Sequence, residues 1–223
     1  MGIKERQERD RHAVHRSILD AARELFVAEG YGNVSIRKIA ERIEYSPAAL
    51  YSYFPSKDDI FFALADEGFD LLSTLVSDEA LDGLPPLERV REAFWRFYRF
   101  SRDYPQHFAL MFVDQTVPRL GREYEGSVRA HRLKTQILER IQACIDAGEL
   151  PSTLRPRVAL RMLTVGMLGV AAMRLSGRLS EGEHPDALAR DLLDVTIAGL
   201  RSNLSLRTHT LPCPLDAGGD ESS

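Results

Sequence analysis

The most constraining feature of this sequence is a series of short helical patterns close to its start. In the first pattern, apolar residues recur at three- and four-residue spacing and therefore share one face of a helix: Val14, Ile18, Ala21 and Leu25. Gly30 follows and can end this helix as a C-terminal cap. The pattern therefore predicts a first amphipathic helix.

Three further helices are predicted to begin before residue 60. Ser35 can cap a second helix, barely two turns long, with apolar residues at Ile36, Ile39, Ala40 and Ile43. Ser46 and Pro47 suit the start of a third, ending near Phe54. Ser56 and Asp59 form a capping-box pattern for a fourth, and Asp58 adds favourable charge.

The second and third helices are separated by a few residues around Glu44 and Tyr45, which predicts a helix-turn-helix. Helices this short need neighbours to be stable. The apolar residues expected to pack them against Leu25 and Phe26 of the first helix are Ile36, Ile39, Ile43, Leu50 and Phe54. The third helix then keeps a small or aromatic outer face: Pro47, Ala48, Ala49, Tyr51 and Ser52.

Charge is distributed unevenly along the chain. The 223 residues carry a net charge of -4, which argues against a protein that coats nucleic acid indiscriminately. Residues 1–57 hold 10 Lys/Arg and 8 Asp/Glu, whereas the remainder holds 19 and 25. Any surface that binds nucleic acid is therefore expected to be small and N-terminal.

Two cysteines, Cys144 and Cys213, form neither a disulfide framework nor a zinc spacing, so we expect a reducing cytoplasm and no metal or cofactor. The longest nearly uncharged stretch, 162–173, is shorter than the roughly 20 residues that a bilayer requires, and no signal peptide precedes the charged N-terminus. These features predict a soluble protein with no membrane contact.

The rest of the chain is predicted to be all-α. Beyond Leu84 we expect helices near 87–103, 105–115, 121–147, 155–178 and 185–204, separated by Pro and Gly. Residues from 208 are expected to form a disordered tail. The predicted organisation is a three-helix helix-turn-helix domain over 1–57, a second helical domain over 58–207, with the fourth helix linking the two, and the tail over 208–223.

Three sequence blocks resemble the N-terminal signature of the TetR family of transcriptional regulators. They are Phe26-x-x-x-Gly30-Tyr31, residues 35–40 (SIRKIA) and residues 46–57 (SPAALYSYFPSK). Three blocks in order at matching separations are far more specific than a single turn motif. The resemblance implies a homodimer that binds palindromic double-stranded operator DNA, by default a repressor, and releases it when a small-molecule effector binds.

The resemblance also implies a role for individual residues. Ser35 and Arg37 match positions that contact phosphate or a base edge, and the Arg37 guanidinium can bind guanine at two points. The other matching positions are Lys38 near the start of the second helix, Ser46, Pro47 and Ala48 at the leading end of the recognition helix, Tyr51 and Tyr53 near phosphates, and Lys57 at the start of the fourth helix.

Several of these positions have alternative interpretations. Tyr53 could be half-buried against the first helix, and Lys38 could be an ordinary solvated charge. Arg6, Arg9 and Arg11 could form a DNA-binding arm, although the interleaved acidic residues favour a solvated helical extension. At Glu44 many relatives place glycine, and a residue with a Cβ does not freely adopt positive φ, which leaves the angle between the second and third helices open.

The C-terminal domain is predicted to supply the dimer interface and the effector pocket. Residues 158–173 are apolar almost all round, and relatives pair their last two helices with those of a twofold mate, although a purely intrachain core is the alternative. The predicted interface residues are Gly166, Gly169, Val170, Met173, Leu192, Leu193, Thr196 and Leu200. The residues predicted to line an apolar pocket are Phe94, Trp95, Tyr98, Phe108, Met111, Phe112, Met162 and Met167.

Other functions lack the residues they need. The sequence contains no phosphate-binding glycine loop, no metal-ligand cluster and no nucleophile with an ordered base, so we predict that the protein is not an enzyme. His12 and His15 lack a third ligand, and an apolar setting favours an inert Cys144 over a redox sensor. Arg129, His131 and Arg132 could select an acidic ligand but are expected to face water. The remaining alternative is a non-enzymatic helical adaptor that uses the helix-turn-helix for protein contacts.

Overall fold

The computed structural model describes residues 3–114, 116–117, 128–202 and 206, and these residues form helices and no strands. The predicted all-α fold class is confirmed. The N-terminal helices are α1 (Ile3–Glu29), α2 (Ile36–Arg42), α3 (Pro47–Tyr51) and α4 (Lys57–Leu75). The C-terminal helices are α5 (Pro86–Asp103), α6 (Pro105–Phe108), α7 (Val128–Asp146), α8 (Pro156–Leu175) and α9 (Pro185–Arg201).

The boundaries agree with the sequence signals at the helix starts. Ser35, Ser46 and Ser56 cap α2, α3 and α4, and each serine Oγ accepts a hydrogen bond from the backbone N–H three residues later at 3.2 Å. The helix ends are less well predicted. α3 ends at Tyr51 rather than near Phe54, and the start predicted for α7 at residue 121 and the predicted tail over 208–223 lie outside the described residues.

The N-terminal core packs as its apolar pattern requires. Ile36, Ile39 and Leu50 are buried, as are Phe26 and Phe54, while Leu25 and Ile43 are half-buried against the same core. Contacts join α1 to α2 and to α4, and α2 to α3. The helix-turn-helix is therefore held on the first helix, which also contacts the fourth, and its outer face stays exposed.

α8 contacts α5, α7 and α9 in the C-terminal domain. By length and composition it is long and apolar enough to cross a membrane, which a count of the uncharged stretch alone did not reveal. Its buried side includes Ala159, Leu163 and Met167. Only 28% of its apolar window is buried within the chain, so the three neighbouring helices cover only part of its apolar surface.

The turn between α2 and α3 differs from the expectation for Glu44. Its φ is 60°, so a residue with a Cβ occupies the left-handed conformation that glycine adopts more easily. The turn thereby keeps the compact path between α2 and α3, closed by the Tyr45 N–H donating to the Ala40 carbonyl at 2.9 Å. The cost is local backbone strain, on the order of 1–2 kcal/mol.

We predict that Glu44→Gly leaves the fold intact and raises the free energy of unfolding by up to about 1 kcal/mol, because relief of the strain exceeds the added entropy of the unfolded chain. Arg132→Gly, at an exposed position inside α7, is the control and should lower it by about 1 kcal/mol. Urea denaturation measures both changes. Equal destabilisation by the two variants would contradict the strained turn.

Candidate DNA-binding surface and ligand cavity

Among the residues predicted to contact DNA, Arg37 is the most accessible cation. Its side chain is 80% exposed at the start of α2, and its Nε donates to Glu41 Oε1 at 2.9 Å. An exposed pair of this kind contributes little stability, so the guanidinium can exchange Glu41 for another acceptor at small cost. Arg37 is thus positioned to bind an anion or a base edge.

The outer face of α3 is formed by small residues and one aromatic residue. Pro47 and Ala48 are exposed, and the Tyr51 side chain is 53% exposed. Tyr45, in the turn before α3, is also exposed but is not among the residues predicted from the sequence to contact DNA. Its sequence signal is an aromatic residue in the turn between two short helices.

The predicted serine contacts already have a local role. The Oγ atoms of Ser35 and Ser46 accept hydrogen bonds from backbone N–H groups within the protein, but both residues remain exposed at the helix starts. A hydroxyl that accepts a capping bond still has its own proton to donate. Both serines can therefore cap a helix and donate to a phosphate.

The N-terminal unit formed by α1, α2 and α3 is called the head. Three further residues predicted to contact DNA interact with other residues of the protein in or beside the head. Lys38 pairs with Glu29, and Lys57 donates to the Tyr31 carbonyl at 2.8 Å with its Nζ 4.0 Å from the Tyr31 ring centroid. Tyr53 is half-buried, and the Arg11 guanidinium lies 5.9 Å from its ring centroid. Lys38 is thus an ion-pair partner rather than a freely solvated charge.

Arg6, Arg9 and Arg11 belong to α1, as the interpretation as a helical extension requires.

The His15 ring packs on Phe54, with centroids 4.7 Å apart, and burial lowers the pKa of His15, assisted by His12 and nearby arginines. Within the described part of the chain, no three His, Cys, Asp or Glu side chains are grouped so that they could hold a metal ion. The contact with Phe54 gives His15 a packing role in the head.

A cavity of about 1020 Å³ lies between α4, α5, α7 and α8. Its deep wall consists of buried apolar residues, Phe69, Leu72 and Val76 at the end of α4 and Ala93, Phe94 and Phe97 on α5. Of the predicted pocket residues, Phe94, Phe112 and Met162 line it. The rest of its lining comes largely from α7 and α8.

The other five predicted pocket residues do not line this cavity, because helical geometry turns them elsewhere. Trp95 and Tyr98 face α9: the Arg190 guanidinium lies 3.9 Å from the Trp95 ring centroid, and the Tyr98 hydroxyl donates to Asp186 at 2.9 Å. Residues one position from Phe94 and Phe97 point about 100° away around the helix. This accounts for the misplacement on α5.

Phe108, Met111 and Met167 are buried in the core instead. The Phe108 ring packs on Phe97, Phe100 and Phe112. Met111 fills the space beside Gly68, where a Cβ would collide with its sulfur. Met167 is five residues from Met162, on the far side of α8.

The residues predicted for the dimer interface on α8 and α9 fall into buried and exposed groups in the single chain. Val170, Leu193 and Leu200 are buried in this chain's own core. A Cβ on Gly166 would lie 3.4 Å from Leu192 and 3.9 Å from Thr196, so these three residues belong to the intrachain contact between α8 and α9. Gly169 and Met173 remain exposed.

Two valines extend this exposed group: Val165 on α8 is 57% exposed and Val195 on α9 is 68% exposed. Val165, Gly169 and Met173 are four residues apart and share one stripe of α8. The sequence periodicity showed that both helices are apolar but not which stripe the chain itself would cover. We call Val165, Gly169, Met173 and Val195 the α8–α9 face.

The cavity and the N-terminal helices are linked through α6 and the residues after it. Phe112 lines the cavity, and two residues later Asp114 accepts the Tyr31 N–H at 3.4 Å. Thr116 Oγ1 accepts the Gly32 N–H at 3.2 Å. Movement of the cavity wall at Phe112 would therefore displace Asp114 and Thr116, which accept hydrogen bonds from the turn between α1 and α2.

A second link surrounds Glu67 of α4. Arg16 and Arg23 of α1 lie 3.0 and 3.7 Å from its carboxylate, and Arg23 also donates to Gln106 at 3.2 Å. His107 lies 3.4 Å from Glu67, and burial lowers the pKa of its imidazole against the opposing effect of the carboxylate. α1, α4 and α6 thus meet in one polar cluster.

Cationic residues near the cavity fall into two groups. Arg129 bonds to Asp66 and Asp70, both at 2.7 Å, while His131 and Arg132 are exposed and do not line the cavity. Lys134 on α7 and Arg161 on α8 do line it. Arg129, His131 and Arg132 thus do not reach the cavity. Lys134, two residues after Arg132 on α7, and Arg161 on α8 are the cations positioned to contact a ligand there.

Comparison with known proteins shows the family. Residues 18–64 match the profile of bacterial regulatory proteins of the tetR family, and residues 90–196 match that of the tetracyclin repressor-like C-terminal domain. Together these profiles cover both helical regions. The chain belongs to the TetR family of transcriptional regulators.

Individual relatives agree. The HTH-type transcriptional repressor Rv1474c of Mycobacterium tuberculosis is 38% identical over 72 residues, 32% of this chain and 38% of that protein. The chain spans between 35% and 67% of the curated relatives it matches. FadR of Bacillus subtilis in complex with stearoyl-CoA has a TM-score of 0.70 at 17% identity, covering 82% and 98% of the two chains. AibR in complex with isovaleryl coenzyme A and operator DNA has a TM-score of 0.62 at 21% identity, covering 84% and 97%.

Cys144 is predicted to be inert. Its side chain is buried in α7, and burial, assisted by the negative charge of Glu149, raises the pKa of the thiol to about 11. In a Cys213→Ser variant, Cys144 should react slowly with an aromatic disulfide reagent at pH 8 and fully after unfolding. Rapid stoichiometric labelling of the folded protein would contradict this prediction and favour a redox role.

Proposed function

We propose that this protein is a sequence-specific, homodimeric regulator that represses transcription from a palindromic operator and leaves the DNA when a small molecule enters the cavity. The observation that carries the proposal is the exposed face of α2 and α3, where Arg37, Pro47, Ala48 and Tyr51 stand on a well-packed head. This face suits a DNA groove: an arginine for a guanine edge, small residues for thymine methyls and a hydroxyl for phosphate.

The α8–α9 face supports the dimer. It is apolar and exposed in the single chain, and a twofold axis would bury it against its own copy as an isologous interface. Two heads on one axis would contact two half-sites about one turn of DNA or slightly more apart, which requires an inverted repeat. A helical adaptor that binds only protein is the alternative function.

The position of the cavity supports effector control. An effector that favours one arrangement of the Phe112 to Thr116 segment would shift the turn between α1 and α2, which that segment contacts. The effector needs different affinities for the two arrangements, and a coupling of about 1–3 kcal/mol is typical. The acyl coenzyme A complexes of FadR and AibR support a small-molecule role for the cavity. The cytoplasm is the expected location, since the operator is there.

We predict that Arg37→Ala weakens binding to a duplex selected from a random-sequence library by about 1–3 kcal/mol per half-site and relaxes the preference at one base pair. Arg178→Ala changes an exposed arginine after α8 and should leave affinity unchanged. Fluorescence anisotropy titration measures both affinities. Retention of full affinity and specificity by Arg37→Ala would argue for the adaptor.

We predict that Val195→Arg raises the dissociation constant of the dimer about tenfold or more, because the twofold axis introduces each buried charge twice. Val128→Arg is the matched control, since Val128 is 80% exposed at the start of α7, away from the α8–α9 face. Both variants should keep the helical circular dichroism spectrum. If sedimentation velocity finds the same dimer in both variants, the interface lies elsewhere.

A further inference from the structure

We propose that the cavity selects an amphipathic anion, a molecule with an extended apolar body and a carboxylate or phosphate at one end. This inference names the ligand class for the proposed effector site and rests on the proposed function only for the consequence that binding has for DNA. Binding itself can be measured on the protein alone.

The deep part of the cavity sets the requirement for an apolar body. The lining residues from α4 and α5 are apolar and buried, and none of them carries a charge. A polar group placed there would lose its hydrogen bonds to water and find few partners. A volume of about 1020 Å³ lies at the upper end of the range for small-molecule sites, so the apolar part of the ligand can be long.

The charged residues of the lining set the requirement for an anion. They are Lys134, Arg155, Arg157, Arg161 and a single carboxylate, Glu139, and all five are exposed. Among the described residues, the cavity therefore has an apolar interior and a charged outer part, with four cations against one anion. This excess is local, because the whole chain has a net charge of -4.

Three of these cations are available to a ligand. Within the described residues, the side chains of Lys134, Arg155 and Arg161 form no ion pair, whereas Arg129 on the neighbouring surface is fully engaged by Asp66 and Asp70. A cationic amphiphile would be repelled at this position, and a neutral one would gain nothing from it. A molecule with an apolar body and an anionic head group fits both parts of the cavity at once.

The test is direct calorimetric binding of three ten-carbon probes to the full chain: decanoate and decylamine below their micelle concentrations, and decanol below its solubility limit. We expect decanoate to bind tightest and decylamine weakest, and the advantage of decanoate over decanol to shrink as salt is raised. Shortening the acid to hexanoate should weaken binding by about two- to fourfold per methylene. Equal or tighter binding of decylamine would overturn the proposal.

A matched pair of double variants tests which cations are responsible. Lys134→Gln with Arg161→Gln removes two charges from the cavity lining and should lower decanoate affinity about tenfold while leaving decanol affinity unchanged. Arg132→Gln with Arg178→Gln removes two exposed charges that do not line the cavity and should change neither affinity. An equal loss of decanoate binding in both pairs, or in neither, would overturn the assignment.

A further probe, decanoyl coenzyme A, distinguishes a phosphate-bearing thioester from a free carboxylate as the source of the anion. Tighter binding than decanoate assigns the phosphate-bearing thioester, and weaker binding assigns the free carboxylate. Failure of both to bind overturns the proposal. Operator binding is assayed separately without ligand, so a protein that binds decanoate but no DNA would reject the regulatory function and retain the ligand class.

Discussion

The burial of Leu50 and Phe54 against the first helices is the interaction on which the rest of the molecule depends. α3 has only five residues, and a helix of that length has no stability of its own in water. Leu50 is fully buried, and Phe54 just beyond the helix is 5% exposed, so the core of the head holds the C-terminal half of α3 and the residues that follow it. Because burial of the inner face stabilises α3, the outer face is not needed for folding. The outer face can therefore consist of small and aromatic residues suited to contact a partner.

α4 extends this constraint from the head to the second domain. Its first half, with Ile60, Phe61 and Leu64, belongs to the core, and its end contributes Phe69 and Leu72 to the cavity wall. A helix is stiff along its axis, so a change in the cavity cannot stay local if it displaces α4. The polar cluster around Glu67 and the hydrogen bonds from Asp114 and Thr116 add further connections between the same two regions. The cavity wall and the head are thus connected through α4 and through these contacts.

The sequence predicted the parts of the structure that depend on local chemistry. Serine caps, proline at first helical positions and the spacing of Ile36, Ile39 and Leu50 placed the head helices correctly at their starts, because each signal acts within one helical turn. In the second domain, whether a side chain is buried and what it contacts depend on which neighbouring helix packs against that side of its own helix. Trp95 and Tyr98 satisfy the same aromatic pattern as Phe94 and Phe97 but face α9, and Val170 is covered by its own chain while Val165 is not. Periodicity alone does not contain that information.

The most direct test of the central claim, that the outer side of α3 enters the major groove twice in a symmetric pair, is methylation protection of guanine N7 on a selected duplex. N7 lies in the major groove, so its protection reports occupancy of that groove. The account predicts two protected clusters related by an inverted repeat, with centres about one helical turn or slightly more apart. A single asymmetric cluster, or binding that leaves every N7 reactive, would contradict it.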